Sequence, residues 1–375
     1  MTRSSDPSRS RLPGADALRA CALIAVLAVH TSAWGPRVPF QSIDQIARFC
    51  VPAFIVLTGT VLAYRYTGRP LGAGFARRRA ARTLLPWLAW VPVYIGFDVA
   101  TGAFGQYHET LGTFLTEGAG HLWFLLLIPQ FYLLFAVWPR HHRWAVAAAA
   151  LAVQTALCLA RVYITFPGWE SPVMLQYASE LFPFWIGYFA VGVAVGDAMH
   201  HPGALRRVLN VWRWKLTCVF AVATVASGYV LLTIHYSGAA AGTEFLGGTG
   251  AFLNPALPPF VFSAGALIAT SLAPAMRASR SVAATISVLS EDSLGIYIVH
   301  PILLFLIASY VIGDRMSLGG VEALLAWGVL MLATLVTALV VVRLLRATPA
   351  AVTLGTTRAR LPLVRRARIA REHAA

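Results

Sequence analysis

Charge is scarce in this sequence. Asp, Glu, Lys and Arg make up 12% of its 375 residues, about half of the ~25% usual in a soluble domain. A water-soluble globular chain would need far more polar surface, so that class is excluded. Lysine is nearly missing: Lys215 is the one lysine among 30 basic residues. Cysteine is scarce too. Cys21, Cys50, Cys158 and Cys218 lie within or at the edge of apolar runs and have no CxxC spacing. That excludes a disulfide framework and a zinc pattern, and no metal is expected. No internal repeat is visible, and no water-soluble catalytic domain is appended.

What fills the chain is apolar. Hydrophobic residues reach 58% and mean hydropathy is +0.68. A helix needs about 20 mostly apolar residues to cross the bilayer core. Ten spans meet that rule, at roughly 17–34, 47–64, 83–100, 121–138, 144–162, 181–198, 214–236, 257–275, 289–312 and 321–345. Cytoplasmic segments attract arginine and lysine. With the N-terminus inside, 25 of the 30 basic residues fall in cytoplasmic segments and four in outer ones; Arg19 lies within the first span. The expectation is an all-α polytopic membrane helix bundle of about ten transmembrane helices with both termini cytoplasmic. Residues 1–345 form the membrane domain. Residues 346–375 form a basic cytoplasmic tail lying against anionic membrane lipids. The longest outer loop, about 237–256, is expected to fold back on the bundle. A net charge of +15 ordinarily raises nucleic-acid binding. Here the basic residues sit between apolar spans as orientation signals do, and no nucleic acid is expected.

Polar groups inside the spans carry the chemistry. The first span reads LRACALIAVLAVH. Arg19 and His30 are 11 residues apart, which is about 20° past three helical turns, so they share one stripe ~16 Å long. Asp16 falls at i, i+3 to Arg19 and can pair with it. A snorkelling arginine and a histidine bonded to a carbonyl are the structural alternatives, but intramembrane ionisable groups are functional candidates. The second span, RFCVPAFIVLTGTVLAYR, holds a small Thr58-Gly59-Thr60 run open to a helix or a ligand. ARRRAARTLLP follows, with Arg79 and Arg82 at i, i+3; two guanidinium forks on one face suit phosphate, or serve as a positive-inside anchor. The fourth span opens HLWFLLLIPQFYLLF, with His121 and the belt-like Trp123 at its outer end. Gly192 and Gly196 form a small-xxx-small packing pair. In SEDSLGIYIVHPILLF, Ser293, Tyr297 and His300 fall on one helix face. Glu291 and Asp292 are expected to cap that helix start.

These segments together resemble the acyltransferase-3 membrane family. Arg19-x10-His30 is similar to its first-helix signature. VPAFIVLTG, RAAR, HLWFLLLIPQFYLLF and SLGIYIVHP match in order, over roughly residues 12–345, and HLWF and SLGIY look closest to the surface-polysaccharide O-acetyltransferase branch. The resemblance implies transfer of an acyl group, acetyl above all, from acetyl-CoA or another acyl-CoA to a hydroxyl of a sugar, cell-surface glycan or related acceptor, in a bacterial plasma membrane. It maps the catalytic pair to His30 and Arg19 and the acyl-CoA-binding Arg-x-x-Arg element to Arg79 and Arg82. Asp16, Thr58, His121, Trp123, Tyr297 and His300 are supporting candidates. The family's frequent second-span serine is Thr58 here, and the esterase domain fused to some members is not in this sequence. Direct attack and an acyl-histidine intermediate both stay open. A secondary transporter or exporter of a polysaccharide or lipid-linked intermediate is the alternative, since ten spans with buried ionisable groups also suit a carrier. A carrier of neutral sugar has no need of phosphate-binding arginines.

Overall fold

The structure, a computed structural model, describes residues 12–35, 37–72, 74–102, 120–163, 180–200, 202–240, 254–312 and 320–355. The helices are α1 (Pro13–Ser32), α2 (Arg37–Ala47), α3 (Cys50–Tyr66), α4 (Phe75–Thr101), α5 (Trp123–Ala136), α6 (Arg143–Tyr163), α7 (Ile186–His200), α8 (Pro202–Ala240), α9 (Leu257–Ala278), α10 (Arg280–Ile307) and α11 (Gly320–Arg346). No strand occurs among the described residues. Nine of the described helical stretches are long and apolar enough to cross a membrane. The fourth expected span, α5, is instead a 14-residue apolar helix. It rises only ~21 Å, against a bilayer core of about 30 Å. The chain is an all-α polytopic membrane bundle.

α1 forms the spine. Its alanine- and leucine-rich surface is buried along the whole length, and it packs against α2, α3, α9, α10 and α11. Small residues bring the closest pair, α3 and α7, into backbone contact. A Cβ added at Gly192 would stand 2.2 Å from the Val56 carbonyl oxygen, and one at Gly196 would stand 2.2 Å from that of Thr60. The packing role expected of this glycine pair is what the fold uses. On the perimeter, Val219, Val222 and Val225 of α8 and Leu325, Val329 and Leu332 of α11 are exposed, as lipid-facing positions require.

Two features depart from expectation. α2 is an added amphipathic helix between the first two spans. It buries Phe40 against Leu304, Ala323 and Leu330, and Ser42 hydrogen-bonds Tyr236 of α8 at 2.6 Å. Eleven mixed residues cannot register as a span. The second departure is the start of the ninth span. α10 begins at Arg280, where the Ser279 hydroxyl accepts from the Val282 N–H. Glu291 and Asp292 are therefore mid-helix, and the expected capping role is corrected. Asp292 is buried and pairs instead with Arg343, at 3.4 Å, and with Arg346 of α11. The polar first turns of α10 continue the helix, and hydropathy is blind to them.

The chain after α11 turns back on the bundle. A 3-10 turn at Pro349–Leu354 receives a hydrogen bond from Trp90 Nε1 to the Thr353 carbonyl at 3.1 Å. The rest of the expected basic tail, 356–375, and most of the outer loop, 241–253, lie outside the described residues.

Candidate active site

Asp16 and Arg19 stand one turn apart on α1. Ser290 of α10 bridges them: its hydroxyl donates to Asp16 Oδ1 at 2.9 Å and accepts from Arg19 Nη1 at 3.1 Å. The direct Arg19–Asp16 pair is longer, 3.5 Å. The expected i, i+3 pair forms, and the serine supplies the better geometry. It ties the guanidinium to α10 and leaves it facing inward.

Arg19 lines a cavity of about 220 Å³. Thr58 of α3, Arg79 and Thr83 of α4, Tyr132 of α5, and Ser293 and Tyr297 of α10 share it with apolar residues that include Leu57, Phe124 and Leu125. Arg79 donates to the Tyr66 hydroxyl at 3.3 Å and lies over that ring, 5.6 Å from its centre. Arg82 is exposed and does not line the cavity. The two arginines of the RAAR element thus take different positions. The Thr58 hydroxyl donates to its own helix at Phe54 O, 2.8 Å away.

Past the inner end of the cavity stands a cluster of histidines. The ring centres of His30 and His300 are 4.9 Å apart, those of His121 and His300 5.6 Å, and those of His30 and His121 6.2 Å. His30 comes from the last turn of α1, His121 from the 3-10 turn ahead of α5, and His300 from α10. Tyr297 is common to both spaces. It lines the cavity, its ring lies 5.3 Å from His121 and 6.2 Å from His300, and its hydroxyl donates to the His121 carbonyl. His30 does not line the cavity. Arg19 and His30 lie on one stripe, as their spacing predicts, but the cavity takes in Arg19 and Tyr297 and not His30.

Ser293, Tyr297 and His300 form a ladder along α10 from cavity to cluster, the face that their spacing predicts. Trp123 is not brought to the cluster. It stacks on Trp185, with ring centres 5.8 Å apart, and its other described ring contact is Phe124. Sequence reasoning missed Ser290, Tyr66, Tyr132 and Tyr94. Tyr94 of α4 places its ring 4.9 Å from His121 and donates to the Ile298 carbonyl at 2.7 Å. Aromatic hydroxyls on apolar helices carry no spacing signal, and only the packing reveals which of them face inward. Among the described residues no group of three or more His, Cys, Asp or Glu side chains is arranged to hold a metal ion.

The arrangement offers a guanidinium-lined cavity, a phenol at its inner end, and three imidazoles beyond. Guanidinium groups bind phosphate and carboxylate. A neutral imidazole accepts a proton from an attacking hydroxyl. In comparison with known proteins, the family model of an acyltransferase domain, Acyl_transf_3, matches residues 12–343. No curated protein and no solved structure matches the chain.

Proposed function

Since the chain belongs to the acyltransferase-3 family and is a multi-pass membrane acyltransferase, we propose that it is an O-acyltransferase that moves an acetyl group from acetyl-CoA to a hydroxyl of a cell-surface glycan or other sugar, as the surface-polysaccharide branch does. The observation that carries this reading is the cavity shared by Arg19 and Arg79, which ends at Tyr297 against the histidine cluster. An acyl-CoA is made in the cytoplasm and carries several phosphate charges. Arg79 and Arg82, on the arginine-rich side of the bundle, are suited to hold them. A volume of about 220 Å³ suits a thin pantetheine arm better than a whole nucleotide. The thioester end then meets Tyr297, which must swing aside for the carbonyl to reach His30.

Transfer balances simply. His30 accepts the proton of the acceptor hydroxyl as that oxygen attacks the thioester carbonyl carbon. The tetrahedral intermediate collapses, the carbon–sulfur bond breaks, and the CoA thiolate leaves. The imidazolium then returns its proton to the thiolate. The direct route needs one base. A route through acyl-His30 needs the same residues and a second attack. The 25-to-4 distribution of basic residues supports both termini cytoplasmic, and the surface-polysaccharide reading implies the bacterial plasma membrane.

The test uses purified protein in lipid nanodiscs with acetyl-labelled acetyl-CoA and a panel of sugar and glycan acceptors. Label appearing on an acceptor supports the assignment. Movement of an acceptor across a sealed vesicle without acetylation would point to a carrier and reject it.

A further inference from the structure

His300 is buried completely, and its chemistry is dictated by its neighbour in sequence. Pro301 has no backbone N–H. In a regular helix that N–H would bond the carbonyl four residues back, which here belongs to Tyr297. The Tyr297 carbonyl is thus left without its helical partner in the middle of α10. His300 takes it: Nδ1 stands 2.8 Å from the Tyr297 oxygen and 3.2 Å from the Ile296 oxygen. Carbonyl oxygens only accept, so Nδ1 must donate. A neutral imidazole with its proton on Nδ1 carries a lone pair on Nε2. The prolyl residue therefore selects the tautomer. Nε2 of His300 is a buried acceptor, and it makes no hydrogen bond in the structure.

The ring nearest to it in the cluster is His30, centre to centre 4.9 Å. Two imidazoles joined by an N–H···N bond have centres about 5 Å apart, a ~2.9 Å nitrogen separation plus the two ring radii. His30 is at that range, and the bond needs a rotation of a ring to form. We infer that His300 is a positioning residue for His30: its Nε2 accepts one N–H of His30, holding that ring in a single neutral tautomer with the opposite nitrogen bare. The inference rests on the acyltransferase reading, in which that bare nitrogen takes the acceptor's proton. His300 does what the carboxylate does in a serine-protease triad. As His30 becomes imidazolium, the same bond becomes charge-assisted and strengthens. A neutral acceptor suits this depth of the membrane, because a carboxylate would bring a costly permanent charge.

The experiment reads the tautomer directly. Full-length protein with ¹⁵N-histidine in nanodiscs is measured by solid-state NMR, with His30 and His300 assigned by substitution. The expected result is one neutral tautomer for His30 in the unaltered chain and a mixture in His300→Phe. His300→Gln, whose side-chain oxygen can accept the same N–H, restores the single form. Pro301→Ala returns a helical partner to the Tyr297 carbonyl and loosens the His300 tautomer, giving a partial mixture. Acetyl transfer should fall about 100-fold in kcat in His300→Phe, within the range of general-base effects, with KM for acetyl-CoA nearly unchanged. His300→Gln should recover at least about tenfold of that loss by the same reasoning. Should His300→Phe not fold, the glutamine and alanine variants carry the comparison. An unaltered His30 tautomer across the variants overturns the inference, as does a change confined to His121. If the coupling appears while no acceptor is ever acetylated, the His30–His300 pairing stands and the acyltransferase reading fails by itself.

Discussion

Three imidazoles within 6.2 Å of one another set the reactivity expected at the residue scale. His30→Ala removes the proposed base. Labelled acetyl transfer should vanish while the protein still inserts and elutes as a folded species; retained turnover would remove His30 from the mechanism. The two arginines of the RAAR element separate more finely. Arg79 lines the cavity with Arg19, whereas Arg82 is exposed outside it. A charge-assisted hydrogen bond is worth roughly 1.5–3 kcal/mol. Arg79→Ala should therefore raise KM for acetyl-CoA about 10- to 100-fold, and Arg82→Ala should raise it less. Steady-state kinetics against acetyl-CoA at fixed acceptor reads the difference. Equal, negligible effects would reduce both to topology anchors.

Helix contacts carry the next set of consequences. The α3–α7 pair is held at backbone distance by its glycines, so Gly192→Val drives a side chain into the Val56 carbonyl. Overpacking of this kind costs about 1–3 kcal/mol, and the thermal midpoint in detergent should fall. Gly328 of α11 provides the control. A Cβ there meets nothing within 4 Å, so Gly328→Ala should be neutral or slightly stabilising through helix propensity. A midpoint that is unmoved in Gly192→Val would mean that the two helices are not in contact as described. Between α10 and α11, Asp292 is the common partner of Arg343 and Arg346. Asp292→Ala leaves the mostly buried Arg346 guanidinium only its bond to the Glu291 carbonyl, and the α10–α11 pair should loosen. Limited proteolysis near residues 346–355 should speed up, and an unchanged digestion rate would show that this tie is dispensable.

Across the whole molecule the prediction concerns orientation. Cleavable tags at the two ends should both be protected in right-side-out vesicles and both be cut in inverted ones. Tags on opposite faces would break the assignment of basic segments to the cytoplasm. The fold class follows from the sequence, because bilayer thickness imposes a length on every apolar run and translocation imposes a charge bias on the segments between them. Both constraints act locally, so the nine membrane-length helices of the described residues and the shorter α5 are each located along the chain. The α3–α7 glycines, the Arg19–His30 stripe and the Ser293–Tyr297–His300 face were legible for the same reason: each depends only on the period of one helix. Helix ends were not. The start of α10 and the amphipathic α2 are polar enough to escape a hydropathy criterion. What only the tertiary structure decided is which helices meet. Ser290 between Asp16 and Arg19, Tyr297 between cavity and cluster, Arg79 inward and Arg82 outward, and Trp123 turned toward Trp185 all depend on neighbours tens to hundreds of residues away. No spacing within one helix encodes such a contact, since it is set by the shape and packing of the partner surfaces.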